Sequence, residues 1–225
     1  MARRKREPEP PRLLMVEGAV GVGKTAFIEA WSEACDARIV TLDGTSNPFL
    51  AEVFADPERR AFSSEMCFLL ARHRLQSELR QGDLFTKSAV VDGSFARERI
   101  YAEALLSEAE QGLYERIYGL LSAQEVEPDL VVHLRAHPDA LLTRLRARGH
   151  AHERALERSL MGRLCSAFSA WSESVTICPV ITVDLTRVEL EEDDDALERL
   201  VDEVRKASRD LGPGERYDAI LSPSP

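Results

Sequence analysis

The residues Gly18-Ala19-Val20-Gly21-Val22-Gly23-Lys24-Thr25 hold the densest concentration of chemistry in the chain. They match G-x-x-x-x-G-K-[ST], and each fixed position has a physical reason. Glycines let backbone N–H groups wrap an anion with no Cβ in the way. Lys24 can reach the β and γ oxygens of a nucleoside triphosphate, and the Thr25 hydroxyl is a hard oxygen ligand for Mg²⁺. All eight residues are expected to touch ATP. The motif specifies a phosphate chain but no reaction, because motors, switches, ATPases and small-molecule kinases all use it. The five histidines fall at no metal-binding spacing, and Cys35, Cys67, Cys165 and Cys178 form no C-x-x-C pair. Zinc chemistry is therefore not expected, and the cysteines read as free thiols of a reducing compartment.

Such a loop works only between a strand that delivers it and a helix that continues from it. Short β-branched runs occur at 13–17, 38–42, 89–92, 130–134 and 180–184, alternating with helical patterns. This alternation predicts an α/β, P-loop NTPase-type three-layer domain with a five-stranded parallel sheet flanked by helices. The longest helix should start at Asp56-Pro57, a cap followed by proline at the first helical position, and run to about Gln81. Others are expected over 24–35, 138–148, 152–171 and 196–208. In open sheets of this kind ligands collect at the carboxyl ends of the strands, so the residues just after each strand carry the function.

With 225 residues, 44% of them hydrophobic, the chain can build one real core. Residues 1–11 are basic and then proline-rich and read as a disordered tail. Residues 12–210 read as the folded P-loop domain, and 211–225, with Gly212-Pro213-Gly214 and Ser222-Pro223-Ser224-Pro225, as a flexible C-terminal tail. Asp and Glu outnumber Lys and Arg by 39 to 29, a net charge of −10 that repels phosphate backbones, so no nucleic-acid partner is expected. Every apolar run is short and bounded by charge, so no membrane partner is expected either. Arg3-Arg4-Lys5-Arg6 leads into prolines rather than an apolar stretch, which is not a signal peptide, and the expected location is cytoplasmic.

Beyond the phosphate loop, an ordered set of segments resembles the deoxynucleoside kinases, in particular the bacterial deoxyguanosine and deoxyadenosine kinases. The set comprises Asn47-Pro48-Phe49-Leu50, Asp56-Pro57-Glu58-Arg59, Ala61-Phe62, Leu70-Ala71-Arg72, Asp83-Leu84-Phe85, Asp92 to Ala102, and Arg144-Leu145-Arg146-Ala147-Arg148-Gly149. The resemblance spans about 12–184. It implies transfer of the ATP γ-phosphoryl group to a deoxynucleoside 5′-hydroxyl, with Mg²⁺, a helical lid and a homodimer. It further implies a catalytic base at Asp43, where Asp43-Gly44 stands in place of the family's Glu-Pro, and a metal role for Asp92 beside Thr25. Arg144 and Arg148 match two lid arginines, and their four-residue spacing puts both on one helix face. His150 stands in place of a third. With Lys24 they complete the expected catalytic set.

The same resemblance places the substrate pocket at Phe54, Glu65, Arg72, Glu98, Tyr101 and Glu153. It departs from the family at Phe54, which replaces a tyrosine, at Gly93, which replaces an arginine, and at Glu65, which replaces a base-reading glutamine. An ionised glutamate only accepts hydrogen bonds. Either Glu65 then reads donors while Arg72 supplies them, which favours a purine and deoxyguanosine above all, or Glu65 pairs with Arg72 and leaves the base alone. Two other readings stay open. One is a kinase-like ATP-binding module that has lost phosphoryl transfer. The other is a nucleoside monophosphate kinase of thymidylate kinase type, which shares the phosphate loop and lid but not the Asn-Pro-Phe-Leu and Asp-Pro-Glu-Arg segments.

Overall fold

Apolar side chains on both faces of the inner strands decide the layering. In the computed structural model, which describes residues 10–42, 46–53, 56–81, 87–149, 153 and 156–224, strands β1 (Leu13–Glu17), β2 (Arg38–Val40), β3 (Ala89–Asp92), β4 (Leu130–Arg135), β5 (Val180–Asp184) and β6 (Arg216–Ile220) form one parallel sheet in the order β2-β3-β1-β4-β5-β6. Leu14, Val16, Val90, Val132 and Ile181 face one apolar cluster, and Leu13, Met15, Val91, Val131 and Val180 face another. A strand apolar on both faces must be covered on both, which helices α1 (Lys24–Cys35), α3 (Pro57–Gln81), α6 (Pro138–Arg148), α7 (Arg158–Ser174) and α8 (Asp194–Ala207) do. Trp31, Phe27, Phe168 and Leu141 fill the larger cluster, and Leu75 of α3 joins the smaller.

The sheet thus has six strands rather than five. The sixth, β6, comes from the segment whose composition reads as a loose tail. None of its residues is buried, so it has no apolar alternation to betray it, and it is held by backbone pairing to β5 from Val180↔Arg216 to Asp184↔Ile220. The helix expected over 152–171 is described as Arg158–Ser174, and the strand expected to reach Leu42 ends at Val40. A short helix, α2 (Leu50–Val53), and two longer ones, α4 (Ala96–Leu105) and α5 (Glu108–Leu121), complete the fold. Together with α3 they enclose a third cluster built on Leu69, Phe95, Ala102 and Tyr114.

Strand β1 lies between β3 and β4, so the chain leaves it toward one side of the sheet and later returns on the other. The loop after β1 therefore opens at the switch point, where a crevice forms beyond the strand ends. Among the described residues no helix is long and apolar enough to cross a membrane.

Candidate active site

The phosphate loop owes its shape to glycines that no other residue could replace. Gly18 sits at φ 145°, and a Cβ there would lie 2.1 Å from the Leu134 carbonyl oxygen. Gly23 caps α1 in the left-handed conformation at φ 100°. Among the described residues no side chain caps α1, so its first N–H groups and positive dipole end are left for an anion. Lys24 Nζ donates to the carbonyls of Gly18 (2.9 Å) and Ala19 (3.0 Å), curled over the loop it would share with phosphate. Loss of hydration, then the nearby Arg97 guanidinium, brings the Lys24 ammonium down to about 8.

From this loop a cavity of about 330 Å³ runs between α3 and α4. Val20, Gly21, Gly23, Lys24 and Thr25 line one end. Glu65, Arg72, Glu98 and Tyr101 line the other, with Asp92, Arg148 and Glu153 between. Gly18, Ala19 and Val22 are buried behind the loop rather than lining the cavity. The Asn47-Pro48-Phe49-Leu50 segment has a mechanical explanation. Asn47 Nδ2 donates to the Ser64 carbonyl (3.2 Å) and hydroxyl (3.0 Å), and its Oδ1 accepts from Phe49 N–H (3.0 Å). This pins the segment carrying Leu50 and Val53 onto α3 beside Glu65, and both apolar residues join the cavity wall.

Two buried ion networks support the cavity. Arg97 of α4 is the hub of the first. Its Nε donates to Glu17 (3.0 Å), its Nη1 to Asp92 Oδ1 (2.7 Å) and its Nη2 to the Val16 carbonyl (3.1 Å), while Ser94 donates to Glu17 through both N–H and hydroxyl. Burial works to raise the Asp92 carboxyl, but Arg97 and then Lys24 outweigh it and hold it at about 2. Gly93 makes this possible, since a Cβ at that position would come within 2.3 Å of the Arg97 Cζ. The missing arginine at 93 thus leaves the space that Arg97 fills from one helical turn further on. Neither Arg97 nor Glu17 was among the expected site residues. Their signal was a charged residue ending an otherwise apolar strand and an arginine five residues after Asp92.

In the second network Arg72 gives Nε to Glu98 (2.9 Å) and Nη1 to the carbonyls of Asp92 (2.7 Å) and Gly93 (3.1 Å). Arg72 therefore pairs with Glu98 and not with Glu65. Glu65 is 3% exposed, and its Oε2 has no hydrogen-bond partner among the described residues. Burial, reinforced by the Glu98 charge, pushes its carboxyl well above the usual range, so Glu65 is held toward the neutral form rather than the ionised one expected from its type. Tyr101 stacks edge-on against Phe168 with ring centroids 5.9 Å apart, and Glu153 Oε2 is also buried without a partner among the described residues.

Arg144 and Arg148 of α6 share a helix face but not a destination. Arg148 lines the cavity and pairs with Glu191. Arg144 turns its Nη2 to the carbonyls of Leu185 (2.6 Å) and Val188 (2.8 Å), bracing the loop after β5. Asp43, Gly44, Phe54, His150 and the Asp83-Leu84-Phe85 segment lie outside the described residues.

The family model for deoxynucleoside kinase matches residues 14–208. A deoxyguanosine kinase of Bacillus subtilis is 27% identical over 178 residues, 76% of this chain and 85% of that protein. A deoxyadenosine/deoxycytidine kinase of the same organism is 21% identical over 203 residues, 88% of this chain and 94% of that protein. Among solved structures, deoxyadenosine kinase from M. mycoides with the products dCMP and a flexible dCDP bound superposes with a TM-score of 0.73 at 16% identity, covering 88% of this chain and all of that one. The same kinase with dATP bound gives a TM-score of 0.71.

Proposed function

The chain belongs to the deoxynucleoside kinase family, and from that premise we propose that it transfers the γ-phosphoryl group of ATP to the 5′-hydroxyl of a deoxynucleoside. The observation that carries this reading is the single cavity joining the phosphate loop to the buried polar end at Glu65, Arg72 and Glu98. One end suits a triphosphate and the other a nucleoside, so the two reactants would meet near its middle.

The roles follow from the chemistry of each group. The glycine cradle and the uncapped N-terminus of α1 bind the phosphates, and Lys24 swings from its carbonyl partners to the β and γ oxygens. Arg148, already in the cavity, offsets charge on the transferring group, while Arg144 positions the loop after β5. Thr25 and Asp92 supply hard oxygens suited to Mg²⁺, whose chemistry when bound is to neutralise phosphate charge. Asp92 is a poor base, because a carboxyl held at about 2 has little affinity for a proton. The 5′-hydroxyl proton goes to Asp43 in this reading, the base position that the family resemblance implies. The chain reaches it directly from Leu42, which lines the cavity wall.

Glu153 and Phe54 complete the sugar site in this reading, and Tyr101 packs against the base. The deoxyguanosine preference expected from an acceptor-only Glu65 belongs to its ionised form alone. Self-association as a homodimer and a cytoplasmic location complete the proposal. Sedimentation equilibrium tests the former.

An ADP-release assay with the four deoxynucleosides and their ribose counterparts tests the activity. Turnover with at least one deoxynucleoside is expected. Asp43→Asn should lower kcat about 100-fold with little change in KM, as general-base work is realised in the transition state. ADP release that is independent of any nucleoside would overturn the reading, and full activity in Asp43→Asn would move the base elsewhere.

A further inference from the structure

The buried polar end of the cavity holds two carboxyl groups, Glu65 and Glu98, and among the described residues only Glu98 pairs with a cation. Arg72 is committed to Glu98 and to two carbonyls, and Arg97 to Glu17, Asp92 and the Val16 carbonyl. The titratable and charged groups around Glu65 are Glu98, Arg97 and Tyr101 of α4, Arg72 of its own helix, Tyr114 of α5 and Glu153, with Asp92 further along the cavity and Lys24 at its phosphate-loop end. Among the described residues no cation pairs with Glu65; its Oε2 is buried and unpartnered, and the residue belongs to the cavity wall. A second unpaired negative charge beside Glu98, out of reach of water, is strongly disfavoured.

We propose that Glu65 reads the nucleobase as a neutral carboxylic acid, presenting one donor and one acceptor, and that loss of its proton narrows the substrate range to guanine. The proposal rests on the deoxynucleoside kinase reading of the cavity.

The base edges supply the argument. A neutral acid accepts through its carbonyl oxygen and donates through its hydroxyl. It can form a two-bond pair with adenine (N6–H and N1), with cytosine (N4–H and N3) and with guanine (N1–H and O6). An ionised carboxylate has two acceptors and no donor, so only guanine, with N1–H beside N2–H, still satisfies both oxygens. The unprotonated ring nitrogens of adenine and cytosine would face a negative oxygen instead. The elevated proton affinity of Glu65 is consistent with the neutral form in the resting protein. A neutral acid matches the hydrogen-bonding pattern of glutamine, which makes Glu65→Gln a fixed mimic of the protonated state.

The test is a competition between equal concentrations of deoxyguanosine and deoxyadenosine, scored by the ratio of the two monophosphates formed from about pH 6 to about pH 8.5. The ratio cancels ionisations that affect both substrates alike, including Lys24, whose value of about 8 falls in the same range. In the wild type the deoxyguanosine share should rise roughly tenfold with pH, the scale of one mispaired buried bond. In Glu65→Gln the ratio should stay flat. A flat wild-type ratio, or an equal rise in Glu65→Gln, would overturn the proposal. If Glu65→Gln does not fold, the wild-type ratio decides alone.

A ligand-free measurement separates this proposal from the kinase reading. A carboxyl whose folded-state proton affinity is raised contributes stability that is present at low pH and lost as pH rises. The melting temperature of the wild type should therefore fall relative to Glu65→Gln as pH increases. A difference that does not change with pH overturns the proposal whether or not the protein phosphorylates a nucleoside. A pH-dependent difference with no phosphorylation of any nucleoside removes the kinase reading and, with it, the base-reading role of Glu65.

Discussion

At the scale of single residues, Gly93 and Arg97 behave as one unit. Gly93 adopts φ 89°, and an added Cβ would press on the Arg97 guanidinium at 2.3 to 2.7 Å, where the only relief is to move the hub that holds Glu17 and Asp92. Gly93→Ala should therefore cost about 1–3 kcal/mol of stability, from backbone strain together with a disturbed buried ion pair, and should lower kcat. The physical coupling can be measured directly. Arg97→Met destabilises by leaving Glu17 and Asp92 unpaired, but once the guanidinium is gone Gly93→Ala loses part of its steric cost. Urea denaturation of the two single variants and the double should give a sum of single effects larger than the double effect. Strict additivity would show that Gly93 matters only for its backbone conformation.

Secondary-structure elements add constraints that no single residue reveals. Helix α3 carries both Glu65 and Arg72, and its 25-residue length spans from the Asn47 anchor to the Asp92 carbonyl. Helix α4 answers it with Arg97, Glu98 and Tyr101, so a shift between these two helices would disturb both ion networks together. Helix α5 locks α4 from outside, and a capping box begins it. Ser107 Oγ lies 2.6 Å from Glu110 Oε2, and the Ser107 N–H donates to the same carboxylate at 3.0 Å. Ser107→Ala should cost about 1 kcal/mol. As Ser107 lies outside the cavity, the loss should show as a lower urea midpoint, with kcat and KM for ATP unchanged at temperatures well below melting.

For the whole molecule, pH acts from two sides. His133 of β4 faces Glu17 of β1 in register, is almost fully buried, and its Nδ1 has no hydrogen-bond partner among the described residues. Burial depresses its proton affinity from the ordinary 6.5 to about 4. The unfolded chain therefore binds more protons between those values. The stabilising contribution is complete above about pH 6.5 and lost as pH falls toward 4, on the order of 3 kcal/mol in all. Glu65 has the opposite sign, losing stability as pH rises, so the most stable range lies between the two. Unfolding by urea across this acid range should show a slope in the wild type that is shallower in His133→Gln. An unchanged slope would place the acid sensitivity in other groups.

The sequence by itself determined the phosphate loop, five strands of the sheet, the long helix from Pro57 and the place of the cavity at the strand ends. These follow from local rules: glycine at turns that a Cβ would block, apolar alternation, and a proline-led helix start, all of which act within a few residues of chain. It also held a signal for α5 in Ser107 and Glu110 that composition and strand counting pass over. Strand β6 was not legible, because an exposed edge strand is stabilised by backbone pairing to β5 and leaves no pattern in its side chains. The pairing of Arg72 with Glu98 instead of Glu65, the diversion of Arg144 to the carbonyls after β5, and the placement of Arg97 in the space beside Gly93 were decided only by the tertiary structure. So was the raised proton affinity of Glu65. A side chain's type fixes what it can donate or accept, but its charge and partner depend on which groups are buried beside it, and packing between distant segments sets that environment.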